Sequence, residues 1–500
     1  MNNPIISKGM FVTIVASLTW YYLFLPPSSD YPGLLSDSVR YLFMAEYFGG
    51  QTDFLSYSYF QGSVFPPMLP LAIWLSGNSA EAAHHLSAAA FLLSSIPFYL
   101  WIRKETRIEQ AILITGVAWL SPSLVAFSLD ILSEGLFLFL LLLAFNISRL
   151  SSRRETASGL ALVTACAILT RSIGIALIPA YLVWFWKRRH ELDRSTLIFS
   201  ALTLVLPVLC WQYYKSARGS EAGAGYLEVW IERSQVSAAG LWGTVSENIT
   251  AVFDAGRFNG GSLLNLILIG LAAPTVFKRL REQEFDALFV LAYSLIILAW
   301  PFPDQMNRFL AVMAPLFVFY AIKTVSSIFR RANFMAVALA TAALFTAFLP
   351  ANLNHIERLT LTVPSELQKY KRSSHWVAIE DESFAKEQLA NLHRLALAHA
   401  HVNKSVGPDQ CVYAVLADLL SYNSRRITMQ MPRSVSELTE CRYAFASQLT
   451  PVQYHLEPMF PVYVEGFVDY DPVWATMDEN EIPVAALLEL KVNPAQTQLP

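Results

Sequence analysis

Long apolar stretches without charged residues recur through the first two thirds of this 500-residue chain. A helix of about 20 apolar residues crosses the hydrocarbon core of a bilayer, and a soluble core needs no runs of that length. The pattern therefore predicts an all-α polytopic membrane protein with about eleven transmembrane helices. The predicted spans are 9–26, 82–102, 110–129, 134–149, 157–172, 173–186, 195–213, 260–277, 285–302, 309–325 and 333–350.

Charged residues divide the chain into two parts. The first 350 residues contain 45 charged side chains, and the last 150 contain 30. The charge density of the last 150 residues, 30 in 150, approaches that of an ordinary soluble domain, in which about one residue in four is charged. We therefore predict a transmembrane domain over residues 1–350 and a soluble domain over residues 351–500, with the boundary near Pro350.

The C-terminal part has the sequence pattern of a small α/β domain. Apolar residues recur at helical spacing over Glu380–His401, and Cys411–Val415 has the composition of a buried strand. Tyr443–Ala446 and Ala485–Leu490 are weaker strand candidates. Cys411 and the later Cys441 form a disulfide if this domain lies in an oxidising compartment, and otherwise remain two free thiols.

Lysine and arginine are concentrated in alternate connections between the predicted spans. These basic connections are 103–107, 149–154, 187–194, 278–281 and 323–331. Because basic connections remain in the cytosol, the N-terminus is predicted to be cytosolic and the C-terminal domain periplasmic, in a bacterial cytoplasmic membrane. A signal peptide is the alternative for the first apolar run. No small-x-small cleavage site follows that run, so we interpret it as a retained span.

Ionisable residues avoid the middle of the predicted spans and occur in the outer connections. The outer residues are Asp30, Asp37, Glu46, Asp130, Glu134, Arg171, Asp304 and Arg308. Ion-coupled transporters keep such residues near the membrane midplane, so their positions here favour a reaction site at the outer surface. Any one of them can equally be a solvated loop charge, and we interpret Glu46 in that way. Arg171 lies in a tight turn between apolar runs and needs a partner.

Composition and motifs exclude several other classes of site. A formal net charge of −3 gives no electrostatic basis for nucleic-acid binding. No CxxC or HExxH spacing is present, and no glycine-rich phosphate loop. We therefore predict no required cofactor and assign no metal ligands. The outer acids are nevertheless compatible with a divalent metal ion.

Five motifs occur in order on the predicted outer side. They are the D-x-x-x-Y-x-x-x-A pattern that begins at Asp37, then Phe65–Leu71, Leu132–Phe137, Thr170–Gly174 and Asn307–Pro315. Together they resemble the GT-C type polyprenyl-phosphate-sugar glycosyltransferases, in particular the protein-mannosyltransferase-like and aminoarabinose-transferase-like branch. The resemblance covers roughly residues 10–330, and it implies a fold of many helices with the active site at the outer face.

The resemblance also implies roles for individual residues. Asp37 matches the catalytic acid or base of the first outer loop, and Glu134, or alternatively Asp130, matches the acid between the third and fourth spans. Arg171 and Arg308 match basic positions near the lipid phosphate. The family often has an acidic pair in the first loop. Here Asp37 is followed by serine, so the second carboxylate must come from elsewhere.

Tyr41 follows Asp37 by one helical turn and lies on the same helix face. It is interpreted either as a contact to the substrate or the acid, or as a tyrosine of the membrane interface.

The implied reaction is inverting sugar transfer with Asp37 as the base. The donor is a polyprenyl-phosphate-linked sugar, the acceptor is a lipid, glycan or protein, and membrane lipids surround the chain. A transporter or flippase for lipid-linked glycans is the first alternative, and a membrane-anchored assembly protein is the second. Transport predicts charges at the bilayer midplane, which the predicted spans lack.

Overall fold

The structure is a computed structural model of the whole chain. It describes residues 4–33, 35–50, 65–150, 153–217, 238–254, 261–300, 302–329, 333–372, 382–414, 417–430, 441–447, 468–477 and 483–492. Within these ranges the N-terminal part is helical, and we number its helices α1 to α15 in chain order. They are α1 (Pro4–Thr19), α2 (Ser36–Phe48), α3 (Met68–Leu75), α4 (Ala80–Arg103), α5 (Ile108–Trp119), α6 (Pro122–Ser128), α7 (Glu134–Ile147), α8 (Arg153–Ile168), α9 (Leu177–Arg188), α10 (Arg194–Ala217), α11 (Ala238–Asp254), α12 (Ser262–Arg281), α13 (Phe285–Leu298), α14 (Met306–Ile328) and α15 (Asn333–Thr360).

Several of these helices have the length and apolarity of membrane spans. In the described part of the chain, α4, α10, α12, α14 and α15 meet both requirements, and α5 with α6 adds a sixth span if this pair, bent by 58°, is counted as one. Shorter apolar helices cover Gly9–Phe24, Glu134–Ile147 and Phe285–Leu298. The predicted polytopic helical class is confirmed. The number of about eleven spans stays a prediction.

Helix α14 lies at the centre of the helical body and is buried along most of its length. Aromatic side chains pack around its second half, where the ring of Trp101 lies 4.8 Å from that of Phe319 and 5.2 Å from that of Phe145. Helices α4 and α7 approach so closely that a Cβ atom at Gly135 would lie 2.9 Å from the backbone nitrogen of Phe91. This contact fixes the start of α7 against α4.

A network of buried charges occupies the end of the body that carries the basic connections. The Arg279 guanidinium donates to both carboxylate oxygens of Asp286, at 2.8 and 2.7 Å, and to both of Glu105, at 2.9 Å. Arg149 and Lys323 also pair with Glu105. The sequence predicts that these basic residues lie in cytosolic connections, but it does not indicate their partners. The structure shows that they pair with the carboxylates of Glu105 and Asp286.

The C-terminal part contains the predicted α/β domain. Its elements are α16 (Ser365–Gln368), α17 (Glu382–Ser405), β1 (Cys411–Ala414), α18 (Ala417–Ser424), β2 (Ile427–Gln430), β3 (Tyr443–Ser447), β4 (Val468–Met477) and β5 (Pro483–Val492). The sheet order is β2-β1-β3-β5-β4, with β1 parallel to β2 and β3, and β5 antiparallel to β3 and β4. The predicted helix and three strands are confirmed, whereas β2 and β4 were not predicted. Cys411 and Cys441 form a disulfide.

The C-terminal domain and the first outer connection share one apolar core. Tyr31, Val39 and Phe43 of that connection pack with α17, β1 and α18. Helix α15 passes through Pro350 and continues to Thr360. The division of the chain near Pro350 stays a prediction, and the C-terminal domain is in direct contact with α2.

Removal of the Arg279 guanidinium should destabilise the network of buried charges. We expect Arg279→Met to cost about 3–5 kcal/mol, because Asp286 loses the guanidinium that satisfies both of its oxygens. The measurement is the thermal midpoint of the purified protein in detergent. Lys278→Met is the matched control, since the side chain of Lys278 is 77% exposed. Equal midpoints for the two variants would contradict the structural role of Arg279.

Candidate functional site

Arg308 joins two carboxylates that come from distant parts of the chain. It lies in the first turn of α14, and its Nε donates to Glu134 Oε1 at 2.7 Å. One of its terminal nitrogens donates to Asp37 Oδ2 at 2.5 Å. Asp37 lies in the first turn of α2 and Glu134 in that of α7, where the helix dipole favours negative charge. One guanidinium therefore holds two helix N-termini together.

Arg171 forms the second cationic part of the site. It pairs with the same oxygen of Glu134 that accepts from Arg308. Its guanidinium carbon lies 5.4 Å from the centre of the Phe309 ring, in a cation–π contact. The side chain is 10% exposed and that of Glu134 is 0% exposed. The partner that the tight apolar turn required is therefore the buried carboxylate of Glu134.

A glycine makes the backbone turn at Arg171 possible. Arg171 precedes a 3-10 helical turn over Ser172–Ala176, and its carbonyl accepts from Gly174 N at 2.8 Å. A Cβ atom at Gly174 would lie 2.7 Å from the carbonyl oxygen of Ala167, closer than such atoms pack. The close approach of this turn to the end of α8 fixes the position of the arginine.

Tyr41 connects α2 to the beginning of α7. Its hydroxyl lies 2.9 Å from the hydroxyl of Ser133, the residue that precedes Glu134. The side chain is 3% exposed, so Tyr41 is not a tyrosine of the membrane interface. Burial raises the pKa of Tyr41, and the nearby negative charges of Asp37 and Glu134 add to that increase. The phenol therefore remains a neutral hydrogen-bonding group beside both acids.

The four charged groups form an alternating series that is neutral as a whole. The order is Asp37, Arg308, Glu134 and Arg171. The side chains differ in access, because Asp37 is 22% exposed whereas Glu134 is fully buried. The second oxygen of Glu134, Oε2, is buried and has no hydrogen-bond partner among the described residues. Asp37 is thus the acid that a substrate can reach.

Asp130 belongs with a different set of charges. Its side chain is 1% exposed, and its charge acts on Arg358 and Arg372. Burial lowers the pKa of Arg372 to about 10, and the Asp130 carboxylate partly offsets this effect. Arg372 also donates to the carbonyl oxygens of Leu129 and His84, at 3.1 Å each. Asp130 thus lies where the chain enters the C-terminal domain.

Two further acids of the predicted outer connections are Glu46 and Asp304. The interpretation of Glu46 as a solvated charge is wrong, because the residue is 4% exposed and its two oxygens accept from Arg425 at 2.8 and 3.0 Å. The side chain of Asp304 lies outside the described residues. Sequence analysis also missed Ser133 and Phe309, although both lie inside the motifs that contain Glu134 and Arg308.

Solved structures of other proteins share this fold. ArnT from Cupriavidus metallidurans bound to undecaprenyl phosphate gives a TM-score of 0.57 at 15% identity, over 96% of this chain and 98% of that chain. The Archaeoglobus fulgidus oligosaccharyltransferase with Zn and sulfate gives 0.53 at 12% identity, over 95% and 73%. AglB from the same organism, with an inhibitory peptide and dolichol-phosphate, gives 0.51 at 11% identity, over 99% and 75%.

These likenesses establish the fold. No protein-family model and no curated protein matches the sequence. The fold that the five motifs implied is confirmed over nearly the whole chain.

A metal ion does not fit the site that the structure describes. Among the described residues, no group of three or more His, Cys, Asp or Glu side chains has the arrangement of a metal site. The two carboxylates are separated by guanidinium groups, which would repel a divalent cation. The alternation of acids with arginines suits an anion that displaces a carboxylate from an arginine.

Gly174 provides a test of the geometry at Arg171. We expect Gly174→Ala to destabilise the protein by about 1–3 kcal/mol, because the added methyl group meets backbone atoms that cannot yield. Gly159→Ala in α8 is the matched control, since a Cβ atom there meets nothing closer than 3.8 Å. Thermal midpoints in detergent give the comparison. A midpoint for Gly174→Ala equal to that of the control would show that the turn has room for a side chain.

Proposed function

We propose that this protein is an integral membrane glycosyltransferase that moves a sugar from a polyprenyl-phosphate donor to a lipid, glycan or protein acceptor. The observation that carries the proposal is the series Asp37–Arg308–Glu134–Arg171, which combines a carboxylate that is 22% exposed with two arginines that are 15% and 10% exposed. The fold it shares with ArnT and the oligosaccharyltransferases, solved with undecaprenyl phosphate and with dolichol-phosphate, supports the same class of donor.

The two arginines are suited to hold the phosphate of the donor. When the sugar leaves, the electron pair of the broken bond remains on the phosphate oxygen, where negative charge develops. A guanidinium stabilises that charge by bidentate hydrogen bonds, and the effect is larger away from bulk water. Glu134 is fully buried and pairs with both arginines, so we assign it the role of positioning them.

Asp37 is suited to activate the acceptor. In the proposed reaction, an acceptor hydroxyl or amine attacks the anomeric carbon while its proton passes to the Asp37 carboxylate. The bond between that carbon and the phosphate oxygen breaks on the opposite side, which inverts the anomeric configuration. Arg308 now holds the carboxylate of Asp37, and binding of a donor phosphate to Arg308 would release that carboxylate to act as the base.

Replacement of the base tests this assignment. We expect Asp37→Asn to lower the rate of sugar transfer about 10²- to 10⁴-fold, because the amide cannot accept the proton. The assay measures transfer from radiolabelled polyprenyl-phosphate sugars by purified protein in lipid nanodiscs. Asp30→Asn is the matched control, since Asp30 is 75% exposed in the same outer connection. Full activity of Asp37→Asn would remove Asp37 from the mechanism.

A second measurement, made alongside the transfer assay, identifies the donor and the acceptor. Mass analysis of envelope glycans and lipids, with and without the gene, gives the product that depends on the protein. Transfer requires a product that carries a new glycosidic bond. Movement of an unaltered lipid-linked glycan across vesicles, without such a product, would support the flippase alternative instead.

The proposed orientation places Asp37 and the C-terminal domain in the periplasm, on the side opposite to the N-terminus. A membrane-impermeant maleimide should then label Asp30→Cys in intact spheroplasts, but label Lys278→Cys only after lysis. Both side chains are exposed, at 75% and 77%, so the side of the membrane on which each residue lies decides whether it is labelled. Both variants carry serine in place of Cys166 and Cys210. The reverse labelling pattern would show that the protein has the opposite orientation in the membrane.

A further inference from the structure

Helix α2 carries Asp37 and packs on both sides. Tyr41 and Ala45, on the face of Asp37, belong to an apolar cluster with α3 and α4 of the helical body. Val39 and Phe43, on the opposite face, enter the apolar core of the C-terminal domain. The position of α2 thus depends on two different partners.

An ion pair joins the last turn of α2 to the C-terminal domain. Arg425 donates from two nitrogens to the two carboxylate oxygens of Glu46, at 2.8 and 3.0 Å. The guanidinium carbon also lies 4.7 Å from the centre of the Tyr422 ring, and that ring lies 5.6 Å from the ring of Phe43. Two parallel hydrogen bonds give a pair of this kind a defined geometry, which a single contact lacks.

The backbone of Arg425 has a conformation that favours glycine. Arg425 follows the end of α18 with a φ of 53°, in the left-handed region that favours glycine. Its N–H donates to the carbonyl oxygen of Ser421 at 2.8 Å, which closes the helix end. An arginine stands here in place of the favoured glycine, and its side chain makes the ion pair with Glu46.

The length of α2 makes external support necessary. The helix has 13 residues, and helices of about that length are marginal in water without tertiary contacts. Asp37 lies nine residues before Glu46, which is about 14 Å along the helix axis. A tilt of α2 that starts at its last turn therefore displaces the carboxylate of Asp37 from Arg308.

We propose that Glu46 and Arg425 are positioning residues for sugar transfer: the C-terminal domain holds α2 through this ion pair and so keeps Asp37 at its working position. This proposal rests on the proposed function, because it gives Asp37 a catalytic role. The ordinary alternative is a pair that contributes to folding alone. The two differ in what they predict for turnover in a folded variant.

The test compares Arg425→Ala with Arg442→Ala. Arg442 also pairs with a glutamate in the C-terminal domain, and its side chain is 63% exposed, against 41% for Arg425. Its partner Glu489 lies on β5 and not on α2. We expect Arg425→Ala to lower kcat about 10- to 100-fold with little change in the KM for the lipid-linked donor. Arg442→Ala should match the wild type. Arg425→Lys keeps the charge and should recover part of the lost kcat.

A second measurement follows α2 directly. Hydrogen exchange of the backbone amides over residues 36–48 should become faster in Arg425→Ala and remain unchanged in Arg442→Ala. Faster exchange with an unchanged kcat would overturn the positioning role, as would unchanged exchange in Arg425→Ala. A wild-type protein that transfers no sugar from any donor would overturn the proposed function, and with it the catalytic meaning of the ion pair.

Discussion

The guanidinium of Arg308 between two carboxylates is the interaction on which the outer site depends. A buried carboxylate without a partner is very costly, so Glu134 can remain ionised at 0% exposure only because two arginines neutralise it. The same arginine holds Asp37, and each of the three residues lies in the first turn of its helix. Charge neutralisation and the convergence of α2, α7 and α14 are therefore one feature of the fold.

Much of this arrangement follows from local sequence patterns. Apolar runs reveal the membrane-spanning helices because no soluble core requires them. Charged residues at span ends, together with the side assigned to each connection, predict a common depth for Asp37, Glu134, Arg171 and Arg308. The structure brings these four together. The tight turn at Arg171 was the most informative single signal, because an arginine between apolar runs must find a counter-charge.

Other contacts leave no local signal. Glu46 and Arg425 are separated by 379 positions, and each resembles an ordinary surface charge in its own segment. The network around Arg279 was missed because basic residues at the ends of spans normally remain in water, whereas Arg279 pairs with Asp286 and Glu105. Strand β4 was missed because its alternation is broken, with a register shift at Pro472–Trp474. Two of these partners lie far away in the sequence, since Arg425 is 379 positions from Glu46 and Glu105 is 174 positions from Arg279.

The separation between Glu46 and Arg425 also has a consequence for biosynthesis. Helix α2 emerges near the beginning of synthesis, whereas Arg425 follows after nearly all of the membrane body has been made. At about 5–20 residues per second, the interval between them is about 20–80 seconds. During that time Glu46 lacks its partner, and Val39 and Phe43 of α2 lack the apolar core against which they pack. The site around Arg308 is therefore completed only after the C-terminal domain has been synthesised and folded, so a partially synthesised chain lacks a finished site.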